Sequence, residues 1–162
     1  ISESDHLMAK QRDAIRMSED EIAAFLDSQR NLQVATIGKD GAPHLTTVWY
    51  VVHDGRILFE TYGKSQKIVN LKRDPRLAVL VEDGDTYDSL RGVSINGTAE
   101  IVEDQPRRGE LMQVLLGHHF PDLEPGQLRL MSERMAEKRV VVAVLPEQTV
   151  SWDHSKLNGS GP

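Results

Sequence analysis

Two tight turns in the first half of this chain constrain its fold more than any other feature. Residues 32–37, LQVATI, read as a strand and run into Gly38-Lys39-Asp40-Gly41, where Asp-Gly is a strong hairpin signal. Residues 43–52, PHLTTVWYVV, return as a second strand. His53-Asp54-Gly55 turns again into a third, 56–62. Later runs continue the theme. Residues 76–82 are a buried strand. Residues 90–102, LRGVSINGTAEIV, are rich in β-formers, and Asn96-Gly97 allows either a hairpin of short arms or one long strand with a bulge. Residues 139–151 form the last strand region, in which Pro146 marks an edge or a bend. Consecutive hairpins with a few helices between them suit a small antiparallel β-barrel.

The helices are spaced around these strands. Ser18-Glu19-Asp20-Glu21 is a capping-box pattern, and Ile22, Phe25 and Leu26 follow at helical spacing, so 19–29 is a short amphipathic helix. A helix over 65–73 ends at Asp74-Pro75, where proline forbids continuation. Residues 105–119 place Leu111, Val114 and Leu115 on one face, Pro121 to Pro125 break that helix, and 126–137 form another. Residues 1–17 read as a loose polar arm, 18–157 as a single domain, and 158–162 as a mobile tail.

Charge singles out one stretch. The chain has a formal net charge of −6, yet residues 63–76, GKSQKIVNLKRDPR, hold Lys64, Lys67, Lys72, Arg73 and Arg76 against one acid, Asp74. A helix start offers free backbone N–H groups and a positive dipole end, and lysines there add point charges for a phosphate or carboxylate. A solvated surface helix is the plain reading of the same pattern. The acidic balance argues against a nucleic-acid partner. Without cysteine there is no disulfide, thiolate nucleophile or cysteine-held metal. No apolar run approaches membrane-spanning length and no signal-peptide core is present, which points to a cytoplasmic protein without a membrane partner.

Familiar catalytic motifs are missing. Gly63-Lys64-Ser65 is no P-loop, because Leu58 stands where that motif needs a glycine. No G-x-S-x-G elbow supplies a nucleophile. His118 and His119 are neighbours on a helix and point about 100° apart, and the other histidines lack ligand spacing, so no metal is expected. Trp49 and Tyr50 are consecutive in a strand and face opposite sides.

In order, the chain shows a helix, a strand–Asp-Gly–strand with T-T-V-W-Y, then F-E-T-Y and G-K-S-Q-K-x-x-N-L-x-x-D-P-R. After these come L-R-G-V-S-I-N-G-T-A-E-I-V and a closing S-W-D-H-S-K. This series resembles the flavin/deazaflavin oxidoreductase superfamily, the pyridoxamine-5′-phosphate-oxidase-like split β-barrels, over roughly residues 18–157. The resemblance implies a mainly β fold, a split antiparallel barrel of the FMN-binding type, and a homodimer with a cofactor in each groove between subunits. In the flavin-binding oxidase branch the strand matching Thr46 to Val51 reads like R-x-V-L-L-K. Here Thr46 and Val51 replace the arginine and lysine, a departure from flavin mononucleotide (FMN) binding. Thr61-Tyr62 match a phosphate-side pair, and Ser65-Gln66-Lys67 match S-R-K with one charge lost at Gln66. Gly92 matches a position where the second subunit touches the ring. Trp152 and Lys156 match C-terminal cofactor contacts from the partner chain.

T-T-V-W and W-D-H-S-K are more similar to the branch that binds the deazaflavin coenzyme F420, whose phosphodiester and oligoglutamate tail suit a helix start with Lys64, Lys67 and neighbouring Lys72 and Arg73. The implied activity is hydride transfer from reduced F420 to an electron-poor small molecule. Backbone groups of Thr47, Val48 and Trp49 would hold the ring, and Lys64, Ser65 and Lys67 the phosphate. Asn70 lies one turn beyond Lys67, and Trp152 and Lys156 would close the groove. No catalytic residue is assigned, with Tyr50, Tyr62 or water as candidate proton donors. Two other readings share the fold: an FMN-dependent oxidase or reductase, and a non-catalytic F420-, flavin- or haem-binding protein.

Overall fold

The computed structural model of the chain describes residues 3–159. Six antiparallel strands close into a barrel in the order β1-β2-β3-β6-β5-β4. They are β1 (Asn31–Ile37), β2 (Pro43–His53), β3 (Arg56–Tyr62), β4 (Arg76–Asp83), β5 (Arg91–Val102) and β6 (Arg139–Asp153). Alternation decides which residues go inside. Leu32 and Val34 of β1, Val79 and Val81 of β4, Val93 of β5 and Val142 of β6 are essentially inaccessible and share one core with Tyr50 and Phe59.

Helices plug the two barrel ends. Helix α2 (Glu19–Ser28) starts in the expected capping box, with Glu21 N–H donating to Ser18 Oγ and Ser18 N–H to Glu21 Oε2. It inserts Phe25 and Leu26 into the core at the end where β1 begins. Helix α3 (Gln66–Arg73) inserts Ile68 and Leu71 at the end where β1 finishes. Helices α4 (Arg107–His119) and α5 (Pro125–Ala136) form a hairpin against the outside of the barrel. Met112, Leu115 and Leu116 pack there on Val51, Leu58, Val102, Val141 and Ala143, making a second core.

The long-strand reading of 90–102 holds, since β5 runs unbroken through Asn96-Gly97. The irregularity sits opposite, where Asn96 pairs Gln148 and Gly97 pairs Pro146, leaving Glu147 as the extra residue. A Cβ on Gly97 would lie 2.1 Å from the Leu145 carbonyl oxygen, so only glycine allows this approach. Pro146 stands beside the bulge, and β6 continues beyond the expected end at 151.

One expectation needs correction. The segment read as a loose arm carries helix α1 (Glu3–Ala14). None of its residues is buried, and Leu7 and Met8 are exposed, so its apolar positions gave no pattern aimed at this core. Residues 1–2 of that arm and 160–162 of the expected tail lie outside the described residues, while 158 and 159 end a 3-10 turn, His154–Gly159.

Candidate functional site

The barrel is not paired evenly all round. Strands β2 and β3 pair from Tyr50↔Phe59 to His53↔Arg56 and no further. Continued in register, Trp49 would face Glu60, Val48 would face Thr61, and Thr47 would face Tyr62. Instead, residues 43–49 of β2 pair only with β1, while Glu60, Thr61 and Tyr62 pair only with β6. The two strands part there, so the β2 edge from Thr46 to Trp49 presents backbone groups to a split rather than to a neighbour. The Thr46 hydroxyl beside this edge is buried and has no hydrogen-bond partner, a condition that a ligand reaching the split would relieve.

The basic turn lies at the same split. Chain reversal at Gly63 follows Thr61-Tyr62 directly and leads into the N-cap, Ser65. Ser65 does not cap its helix; its hydroxyl accepts from Thr61 Oγ1 at 3.3 Å. The first-turn amides of α3 are therefore left without a side-chain acceptor. Lys67 reaches back over this turn and donates to Thr61 Oγ1 at 3.1 Å. Burial holds the Lys67 amine below the ordinary lysine pKa; Glu60 opposes the shift and Arg139 adds to it.

Ion pairs sort the other cations. Arg76 is paired with Asp74 at 2.7 Å, and this contact draws the Asp74 carboxyl down to about 2. Lys72 is paired with Glu103 at 2.7 Å. Arg73 is turned onto the Ile37 carbonyl and Asn70 Oδ1. Among the described residues, Lys64, Lys67 and Arg73 are the cations of this stretch outside any ion pair, and Arg73 is already taken up by the Ile37 carbonyl and Asn70. A groove of about 580 Å³ continues from Lys64, where Lys72, Arg108, Lys138 and Arg139 outnumber the acids Glu103 and Glu137. Arg108 Nε is buried there without a partner, a signal hidden in the sequence because Arg108 and Lys138 lie far from the basic stretch.

Asn70 is placed differently from the expected cofactor contact. It is fully buried, accepts from Gln66 Nε2 at 2.9 Å and from Arg73, and donates to Thr36 Oγ1 at 3.0 Å. Asn70 and Gln66 thereby tie α3 to β1. Tyr62 is exposed on the outer side of β3, with the Arg139 guanidinium 4.0 Å from its ring centroid; Arg139 is itself paired with Glu60 at 2.6 Å. Tyr50 is unsuited to proton donation, because its buried hydroxyl is committed to the Leu26 carbonyl and its pKa is raised by burial and by Asp27.

Gly92, Trp152 and Lys156 gather away from the lysine turn. Gly92 pairs with Trp152, and a Cβ at Gly92 would lie 2.2 Å from the indole, so the glycine makes room for this chain's own tryptophan. Lys156 Nζ donates to Glu21 Oε2 at 2.6 Å and to the Arg16 carbonyl at 2.8 Å, fastening the C-terminus to the start of α2. Within one chain these residues do not join Lys64 and Lys67.

Of the consecutive pair, Tyr50 fills the core and the Trp49 ring faces outward as part of a cluster. The indole is half exposed, lies 5.0 Å from the His119 ring and 6.2 Å from that of Phe120, and has the Arg30 guanidinium 5.3 Å from its centroid. His119 has both ring nitrogens buried without a hydrogen bond. Its pKa is lowered by burial first, then by His118 and Arg30, against a small opposing pull from the Tyr50 backbone, so the ring is neutral at pH 7. Among the described residues there is no cluster suited to a metal ion, and no helix is long and apolar enough to cross a membrane.

Comparison with known proteins places this geometry. The family described as pyridoxamine 5′-phosphate oxidase matches residues 18–153. A conserved hypothetical protein of Mycobacterium tuberculosis is 49% identical over 91% of each chain, with a TM-score of 0.86. A structure described as an F420 reductase is 25% identical, covers 78% of this chain and 93% of its own, and has a TM-score of 0.58. The haem storage protein of Vibrio cholerae, 16% identical over 85% of this chain and 97% of its own, shares the fold at a TM-score of 0.66. A search of curated protein sequences returns no match.

Proposed function

The chain belongs to the pyridoxamine 5′-phosphate oxidase family, and from that premise we propose that it is an F420-dependent reductase that passes a hydride to an electron-poor small molecule. The observation that carries this reading is the split between β2 and β3, with an open backbone edge at Thr46–Trp49 beside Lys64 and Lys67, which form no ion pair among the described residues. The residues present fit the group. The open edge and the unsatisfied Thr46 hydroxyl suit a flat heterocycle with polar rims. The uncapped first turn of α3, with Ser65 and Lys67, suits a phosphodiester. The groove past Lys64 to Arg108 and Lys138 suits a chain of carboxylates.

A bound deazaflavin would supply hydride chemistry to a polarised double bond, with the balancing proton drawn from solvent. The protein's part is placement. Backbone groups at Thr47, Val48 and Trp49 set the ring's face, and Lys67 holds the anion while Thr61 and Ser65 orient that amine.

The reading includes a homodimer. Among the described residues, no helix packs in quantity on the outer face of β2, β1, β4 and β5, while the end of β6 borders α1 and α2. Across it run two rows, Leu45, Ala35, Ala78, Asn96 and Thr47, Gln33, Leu80, Ser94, Val150. Small side chains allow a second body to approach closely, Leu45 and Val150 are exposed, and the Gln33 amide oxygen is buried without a partner. A second copy on this face would bring its Gly92 and Trp152 towards the first copy's split.

Side-by-side equilibrium titration with F420 and FMN tests the cofactor. F420 is expected to bind more tightly, and oxidation of reduced F420 should then depend on an added electron-poor substrate. Tighter FMN binding would overturn the assignment.

A further inference from the structure

The proposed reductase lacks an assigned substrate-recognition element, and the cluster around Trp49 is built like one. We propose that Trp49 and Arg30, backed by His119 and Phe120, form a shelf that selects planar conjugated substrates carrying a carboxylate. This rests on the reading of the split as the redox site, because Trp49 stands on the β2 edge at its mouth, at the position that would face Glu60 had the strands stayed paired.

Two observations on separate elements support the assignment. First, the indole is a large apolar surface left half in solvent, although β2 continues into Tyr50 and Val51, which are both buried. It is held in place by His119 and Phe120 at the end of α4, so its orientation is set before anything binds. Secondly, Arg30, in the link between α2 and β1, extends to the indole and donates to the His119 carbonyl oxygen at 3.3 Å. Among the described residues it has no carboxylate partner, although the chain is rich in acids and most of its other surface arginines are paired.

The Arg30 guanidinium lies over the indole itself, so a flat unsaturated ligand that packs on the exposed half of the indole can place its carboxylate on the planar guanidinium in paired hydrogen bonds. The spacing of 5.3 Å from indole centroid to guanidinium carbon suits an acid group close to the stacked system rather than at the end of a long chain. A conjugated acid of this kind has the electron-poor double bond that a hydride donor requires.

The test uses cinnamic acid and its methyl ester as matched probes, followed by ligand-observed NMR on the full chain, with F420 affinity measured in parallel by fluorescence. The acid is expected to bind more tightly than the ester. Arg30→Gln should weaken the acid roughly tenfold or more, leave the ester unchanged, and leave F420 affinity unchanged. Trp49→Leu should weaken both probes. The proposal is overturned if the acid fails to bind, if acid and ester bind alike, or if Arg30→Gln lowers F420 affinity as much as acid affinity, which would place Arg30 on the cofactor. An acid preference lost in Arg30→Gln, in a protein that ignores F420, would uphold the shelf and sink the cofactor reading alone. Arg30 is exposed, so the variant is expected to fold, with an unchanged thermal midpoint as the control.

Discussion

The two outer faces of this barrel share strands β2 and β5 and are treated in opposite ways. On one, Val51, Leu58, Val141 and Ala143 are sealed beneath Met112, Leu115 and Leu116 of the α4–α5 hairpin. On the other, Leu45, Ala35, Ala78 and Leu80 share their rows with Thr47, Gln33, Ser94 and Asn96 and have no helix above them. The first face is a core that needs nothing further. The second is too apolar to be plain surface and too polar to be a core, the composition expected of a face finished by another molecule. The split, with its lysines, opens at the border between the two.

The largest effect belongs to the sealed face. Leu115→Ala leaves a cavity in a fully buried cluster and should cost about 2–5 kcal/mol of stability, read from urea unfolding. A cost near zero would show that the hairpin is not part of the cooperative fold.

At the border, Lys67→Ala should weaken F420 binding by about 1.5–3 kcal/mol. Because the folded-state pKa of Lys67 lies below its unfolded value, the charged amine works against folding at neutral pH, and stability contributed at this position increases as pH rises through the folded pKa. Removing the charge should therefore leave the thermal midpoint level or higher while binding falls. F420 affinity should decline as pH rises through the Lys67 pKa, starting below the ordinary lysine range, and Lys67→Arg should flatten that profile. A pH-independent affinity in the wild type would remove Lys67 from the anion site.

The smallest change in stability is expected on the bare face. Leu45→Glu alters an exposed side chain and should shift folding by less than about 0.5 kcal/mol. Its effect should appear in assembly instead, as a shift from dimer to monomer in light scattering with a parallel loss of F420 affinity. An unchanged mass would show that this face is not where two copies meet.

The hairpins and the capping box were legible because each is a local event. Asp40-Gly41 and Ser18…Glu21 act over a few residues, and the structure repeats them. The lysine turn was legible as charge, but not which charges were free. Lys72 and Arg76 look equivalent to Lys64 and Lys67 along the chain, and only the approach of Glu103 and the reach of Asp74 take them out of play. Asn70 looked like a ligand contact at one helical turn from Lys67. Thr36, brought over from β1, turned it into a buried tie. Helix α1 was missed because it buries nothing in this chain, which removes the periodic signal by which surface helices are read.

Alternation, turn chemistry and proline placement settle what can be decided within a dozen residues: a β-rich chain of hairpins with a basic turn after its third strand. Where the strands stop pairing, which cations stay unneutralised and which sheet face stays bare depend on groups distant in the chain. Those were decided by the tertiary structure, because a register, an ion pair or a covered face exists only once both of its sides have been brought together.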